Sequence, residues 1–461
     1  FSPINGEKIG DLAESTADDV EQAIRVATEA GRAWGSAPIK ERSQVMFRVR
    51  DALHAELDTL SHIVASESGK TFGEARAGIL KGVEVLEYAL SLQNLDLGGR
   101  MEVSSGVYCE YRREPLGVVA GITPFNFPAM VPMWMLPIAM TLGNAFIWKP
   151  SEKTPLTSKY LASVFETAGL PAGVLTVLQG GRTTVEAILD AKGIAAAGFV
   201  GSTAVASQVF ARGTASGKRV LALGGAKNHI ILMPDADREM AVSGILASFT
   251  GCAGQRCMAA SVLIAVGDSD RILQEVAERA RGMSLGADMG AIITPESVER
   301  LQGAVDKAVE AGAEIVVDGR SPGGPTGCEN GYWFAPTILD GVEPGSTVAQ
   351  EELFGPVLTV VRCDTLSEAL AIEQSSAYGN AASVFTQNGA VAERVAREAS
   401  AGMVGVNVGV PVPREPFSFG GINASKFGHG DITGQGSLDF WTNQKKVTTK
   451  WALQSDQTWM S

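Results

Sequence analysis

The sequence predicts an α/β fold with two doubly wound parallel sheets and a small separate β arm. Three observations carry that expectation. Short apolar segments alternate with helix-length amphipathic ones in two separate series, the pattern of strands buried on both faces by crossover helices. The chain has 461 residues, 45% hydrophobic and 19% charged, which is room for two or three domains with sizeable cores. Two strand-like segments, near residue 105 and at 445–451, belong to neither series and are edges that need a partner.

Taken in order, residues 18–34 place Val20, Ile24, Ala27 and Ala30 near helical period behind a pair of acids, so they read as a helix. Residues 42–68 continue as one helix with Val45, Met46, Val49, Leu53, Leu57, Leu60 and Val64 on a face, and 71–95 form another. Residues 101–113 alternate around Ser104-Ser105-Gly106 and read as a hairpin. The first strand series is 117–122, 145–148, 174–178 and 198–200. The second is 229–233, 261–266, 314–317, 357–361, 383–385 and 403–407. The apolar run 127–142 carries Pro128, Pro132 and Pro137, which suits a buried helix better than a membrane span.

A net charge of −13 argues against nucleic acid or an anionic membrane surface as partner, since both require a positive footprint. Five cysteines (109, 252, 257, 328, 363) form no framework spacing, so reduced thiols in a reducing, cytoplasmic compartment are expected. The sequence opens at Phe1, which leaves room for a lost targeting peptide. There is no CxxC, and the four histidines stand far apart, so no metal site is expected.

The chemistry concentrates at residues 249–258, FTGCAGQRCM. A glycine-rich approach lets backbone amides come close to a substrate and keeps Cys257 reachable. Arg256 beside it would favour the thiolate, the attacking species. Cys257 is thus the candidate nucleophile, the alternative being a buried inert cysteine. In TPFNFP (123–128), Asn126 sits where a strand gives way to a helix; it is either an oxyanion donor beside the Cys257 N–H or a helix cap. In WKPSE (148–152), Lys149 and Glu152 at a strand's carboxyl end suit a ribose, the acid disfavouring a 2′-phosphate. In GFVGST (198–203), a glycine turn opens a helix, a seat for phosphate. Cys252 reads as a packed small residue, and Cys109, Cys328 and Cys363 as structural. His229 reads as a buried histidine.

PFNFP, WKPSE, FVGST, GQRC and EELFGP (351–356), in this order and spacing, resemble the aldehyde dehydrogenase superfamily over essentially the whole chain. The resemblance implies an NAD-binding domain at 1–100 and 118–224, a catalytic domain at 225–437, and an oligomerisation arm at 101–117 and 438–455. It implies Cys257 as nucleophile and Asn126 as oxyanion donor. It makes Thr123, Phe125, Lys149, Glu152, Ser202, Glu352 and Phe354 the cofactor residues, and the chain a homo-oligomer, dimer or tetramer. One departure stands out: where most of that family has a Glu as general base for hydrolysis, this chain has Ala222 or Leu223, and neither accepts a proton. Coenzyme A, arriving as its own thiolate, would relieve that lack. GGAKNH, GCAGQRCM and ITPFNFPAMVP resemble the CoA-acylating methylmalonate- and malonate-semialdehyde dehydrogenases. In that group an arginine before the nucleophile, here Arg256, binds the substrate carboxylate, and Lys81 stands where a second arginine is expected. Arg414, on the turn 411–421 that would wall the substrate funnel, either faces substrate or pairs with Glu415, the second being favoured. The implied reaction is oxidation of a short semialdehyde through a cysteine thioester. The alternatives are a hydrolytic enzyme releasing free acid and a non-catalytic NAD-binding protein.

Overall fold

The computed structural model describes residues 1–95 and 97–451. Two mostly parallel sheets and one small antiparallel sheet organise it. The first sheet runs in the order Lys426–Phe427, Arg219–Leu223, Ala196–Val200, Val118–Ile122, Ala145–Lys149, Leu175–Val177. All its pairings are parallel except that of the short Lys426–Phe427 strand, which pairs antiparallel with Leu223 and Ala222. The chain leaves Val118–Ile122 towards one side of the sheet and returns to the other at Ala196–Val200. The carboxyl ends of those two strands therefore bound a topological switch point, the place where open α/β sheets bind ligands.

The second sheet runs Glu314–Val317, Thr337–Asp340, Val357–Cys363, Ala260–Val266, Asn228–Leu232, Ala381–Phe385, Met403–Val406. Its central strands are mostly apolar and buried along most of their length. Two sequence expectations fall short here: Arg219–Leu223 and Thr337–Asp340 are strands that the apolar-run reading passed over. Both are four or five residues long and follow turn residues, so they carry little periodic signal of their own.

Helices of the first hundred residues cover the first sheet. Ala17–Ser36 opens on a capping box in which Thr16 and Asp19 each satisfy the other's backbone N–H. The expected single helix at 42–68 is two, Ile39–Ala55 and Leu57–Ser68, broken at Glu56 with φ −97° and ψ 10°. The apolar face survives the break because Leu53, Leu57, Leu60 and Val64 all remain in one core. The helix expected at 71–95 is Phe72–Ser91 followed by a short 3₁₀ turn, Leu92–Asn94. The proline-bearing helix Met130–Thr141 is buried along its length against it. Among the described residues no helix is long and apolar enough to cross a membrane.

The two orphan edges of the sequence are each other's partners. The hairpin Gly98–Ser104/Val107–Pro115 pairs through its second strand with Thr442–Lys450, from Thr442↔Pro115 to Lys450↔Val107, giving a three-stranded antiparallel sheet. Residues 452–455, assigned to the arm from sequence, lie outside the described residues.

Candidate active site

Cys257 stands between the helix Arg238–Thr250 and the strand Ala260–Val266, on a backbone that turns left-handed at three successive residues: Cys252 (φ 53°), Ala253 (φ 52°) and Gly254 (φ 67°). Gly254 has no tolerable substitute, since an added Cβ would lie 2.2 Å from the Gly355 carbonyl. That close approach ties the cysteine loop to the EELFGP turn. Cys252 is buried on the inner side of the loop, and its N–H donates to the carboxylate of Glu74, on the helix Phe72–Ser91.

The loop is fixed further by amides. The Cys257 carbonyl accepts from Asn228 Nδ2 (2.7 Å) and Asn380 Nδ2 (2.8 Å), while Asn228 Oδ1 accepts the Ala381 N–H (2.9 Å). Gln255 Oε1 accepts the Ile293 N–H and its Nε2 donates to the Ala291 carbonyl. Asn126 is buried and donates through Nδ2 to the Gln255 carbonyl at 2.9 Å. Helix Met130–Thr141 starts four residues later with Ala129 as its N-cap, so the capping alternative for Asn126 does not hold. A side-chain amide carries two hydrogens, so one remains to be offered to an oxyanion.

The electrostatics at Cys257 differ from the sequence expectation. Its thiol is pushed up to about 12, chiefly by burial and then by the negative charge of Glu352; Arg256 and the backbone N–H groups of Cys257 and Met258 pull the other way and lose. Arg256 is drawn aside. Its Nη2 donates to the Ala247 and Ser248 carbonyls at the end of the helix Arg238–Thr250, and its buried Nε has no partner. Cys257 and Arg256 line a cavity of about 470 Å³, with Lys81, Phe127, Trp134, Arg414 and Phe419 among its other walls.

Two side chains of that cavity bear on what the sequence led one to expect, and one expectation is corrected. Lys81 does not offer a free charge: its Nζ pairs with Glu84 (3.0 Å) and with Glu415 (3.1 Å). The favoured Arg414–Glu415 bridge is not made, because Glu415 is taken by Lys81 from another element, and Arg414 is exposed.

Three of the expected cofactor residues, Thr123, Lys149 and Ser202, lie at the carboxyl ends of neighbouring strands of the first sheet. Thr123 follows Val118–Ile122, donates its N–H to the Lys149 carbonyl (3.0 Å) and accepts from Trp148 Nε1 (2.9 Å). Lys149 ends the neighbouring strand; its Nζ donates to Gly180 O (2.8 Å) and meets Glu152 at 3.3 Å. Burial lowers the Lys149 ammonium, with Glu152 opposing. Ser202 is the N-cap of the 13-residue helix Thr203–Ala215 but makes no capping bond through its side chain, which leaves the first-turn N–H groups to an external anion. That open helix end behind Gly201 fits a dinucleotide pyrophosphate.

Phe354, in the left-handed region (φ 53°), stands edge-on to Phe125 with ring centroids 5.9 Å apart. Glu352 Oε1 accepts the Ala226 N–H at 3.0 Å, and Gly225 lacks the Cβ that would lie 2.3 Å from Oε2. Burial pushes the Glu352 carboxyl up to about 7 against the pull of that N–H, Lys227 and Arg300. Lys227 is pushed down to about 7 by its own burial, and His229, beside it, to about 3, so this histidine stays neutral. Ala222 and Leu223 lie buried in two different core clusters. Sequence reasoning missed Glu74, Asn380 and Arg300, which donates to the Leu353 carbonyl at 2.6 Å. Each acts on the backbone of a distant segment, and no local motif marks that. No group of three or more His, Cys, Asp or Glu placed to hold a metal occurs among the described residues.

Comparison with known proteins agrees with this arrangement. The aldehyde dehydrogenase family model matches residues 1–447. A malonate-semialdehyde dehydrogenase of Pseudomonas aeruginosa is 40% identical over 98% of this chain and 92% of its own. The acylating mitochondrial methylmalonate-semialdehyde/malonate-semialdehyde dehydrogenase of Rattus norvegicus is 39% identical over 98% of this chain and 85% of its own. Among solved structures, a putative methylmalonate-semialdehyde dehydrogenase from Sinorhizobium meliloti complexed with NAD superposes with a TM-score of 0.97 at 38% identity, covering 99% of this chain and 95% of that one.

Proposed function

The chain belongs to the aldehyde dehydrogenase family, and on that premise we propose that it oxidises a short carboxylated semialdehyde, malonate or methylmalonate semialdehyde, with NAD and passes the acyl group to coenzyme A. The observation that carries the choice of acyl acceptor is the pair of apolar residues, Ala222 and Leu223, buried where the family's water-activating carboxylate is expected.

Cys257 Sγ adds to the aldehyde carbon, and the resulting oxyanion takes the second Asn126 amide hydrogen and the Cys257 N–H. NAD, when bound, supplies the acceptor for the hydride that leaves this carbon. Lys149, Glu152 and Ser202 would hold its adenosine and pyrophosphate end, and Glu352, Phe354, Thr123 and Phe125 would flank the end near Cys257. Loss of hydride leaves a thioester on Cys257. The CoA thiolate then attacks the thioester carbonyl and expels the Cys257 thiolate; along this path the bond between the α-carbon and the carboxylate breaks, carbon dioxide leaves, and the electron pair left on the α-carbon takes up a proton from solvent, giving acetyl-CoA or propanoyl-CoA. The substrate carboxylate faces the cationic part of the cavity wall, where Arg256, Lys81 and Arg414 lie. Thiol deprotonation is opposed by burial and by Glu352, so any bond that spends the Glu352 charge assists it.

The arm supports assembly into a homo-oligomer: its outer strand Gly98–Ser104 exposes Met101 and Val103 beside an open sheet edge. The reducing compartment expected from the thiols suits a cytoplasmic enzyme, and all five cysteines are free.

The test is a panel of malonate semialdehyde, methylmalonate semialdehyde and propanal, each with and without CoA, with NADH followed and products identified by mass. The expected outcome is CoA-dependent acyl-CoA formation from the carboxylated substrates; free acid as the sole product overturns the reading. Cys257→Ala abolishes NADH formation and leaves the NAD dissociation constant within about threefold, read by calorimetry.

A further inference from the structure

The cavity at Cys257 carries three cationic side chains, and two of them are already committed. Arg256 lies on the carbonyls of Ala247 and Ser248. Lys81 is shared between Glu84 and Glu415, both within about 3 Å, a trio whose net charge is −1. A substrate carboxylate brought to Lys81 would be the third acid around one ammonium. Repulsion in a partly buried site then opposes the attraction it gains.

Arg414 differs on each count. It lines the same cavity, is exposed, and makes no ion pair or side-chain hydrogen bond among the described residues. It also lines a second cavity of about 720 Å³ bounded by Tyr88, Arg113 and Gln435, so it stands between that cavity and the one at Cys257. Its own loop is held in place. Glu415, the next residue, is strapped to the helix Phe72–Ser91 by Lys81, with side-chain exposures of only 10% and 19%, and the Arg414 carbonyl accepts the Phe417 N–H at 3.0 Å.

We propose that Arg414 is the residue that selects carboxylated aldehydes in this enzyme, and that Lys81 acts as a positioning residue, through Glu415, by fixing the loop that carries it. A guanidinium meets a carboxylate with two parallel N–H groups, which an ammonium cannot do. The inference rests on the proposed oxidation of carboxylated semialdehydes, and its test separates the two. If wild-type enzyme fails to oxidise malonate semialdehyde, the functional reading falls first, whatever Arg414 does.

With that activity in hand, the readout is the ratio of kcat/KM for malonate semialdehyde to kcat/KM for propanal. Arg414→Leu lowers the ratio about tenfold to a hundredfold, the range expected for loss of a charge-assisted contact. Arg414→Lys restores part of it, and Arg414→Gln stands in should the leucine variant fold poorly. Lys81→Met lowers the ratio less, and adds nothing in the Arg414→Leu background, because its effect passes through the arginine. The proposal is overturned if Arg414→Leu leaves the ratio unchanged, or if it raises only the KM for CoA. It is equally overturned if Lys81→Met gives the larger selective loss and that loss persists without Arg414.

Discussion

At Cys257 five influences compete for one proton. Burial and Glu352 hold the proton on; Arg256 and the two backbone N–H groups work to remove it, and the thiol ends at about 12. The thiol form therefore dominates at neutral pH. Glu352 titrates at about 7, and its opposing charge is present only above that pH. Replacing it by Gln removes a neighbouring negative charge and so lowers the thiol pKa. The Glu352→Gln protein is therefore expected to alkylate with iodoacetamide several-fold faster than wild type at pH 8–9, with the difference shrinking below pH 7. A pH-rate profile without NAD checks both limbs. The roles read for Cys257 and Asn126 came from the order and spacing of PFNFP and GQRC among the other motifs, since each residue alone has a blander reading. The states of Arg256, Lys81 and Arg414 were not legible there. What decides Lys81 is Glu415, 334 positions away along the chain.

Elements were legible where their pattern was long. The apolar stripe of 42–68 was read correctly as one face, but a single residue at Glu56 leaves the helical region without disturbing that stripe, so periodicity alone could not reveal the break. The helix Phe72–Ser91 shows how one side chain joins elements. Glu74 completes the capping box with Thr71 through one carboxylate oxygen and accepts the Cys252 N–H through the other. Glu74→Ala removes the cap and strands a buried N–H. It is expected to destabilise the protein by about 2 kcal/mol in urea unfolding. It should also lower kcat several-fold while leaving the NAD dissociation constant near its wild-type value, since the disturbed loop is that of Cys257 and not of the cofactor helix.

Over the whole molecule, the alternation of apolar strands and helices predicted both sheets. What the sequence could not convey was which distant segments meet, and two such meetings hold the molecule together. Trp441, wholly buried, sits in the first core beside Phe146 just before the chain enters the arm. Asn144 donates to its carbonyl (3.0 Å) and accepts the N–H groups of Leu116 and Gly117. Trp441→Ala is expected to cost about 3–5 kcal/mol and to release the arm, seen as faster amide exchange across Val107–Pro115. The other meeting is the short Lys426–Phe427 strand, which crosses from the second half of the chain to seal the edge at Arg219–Leu223. A gene cut after codon 224 would therefore yield a first piece with a naked β margin, prone to self-association. Co-expression with the complementary piece, which carries the missing ribbon, is expected to rescue it, so the two halves of this chain are partners in folding and not independent modules.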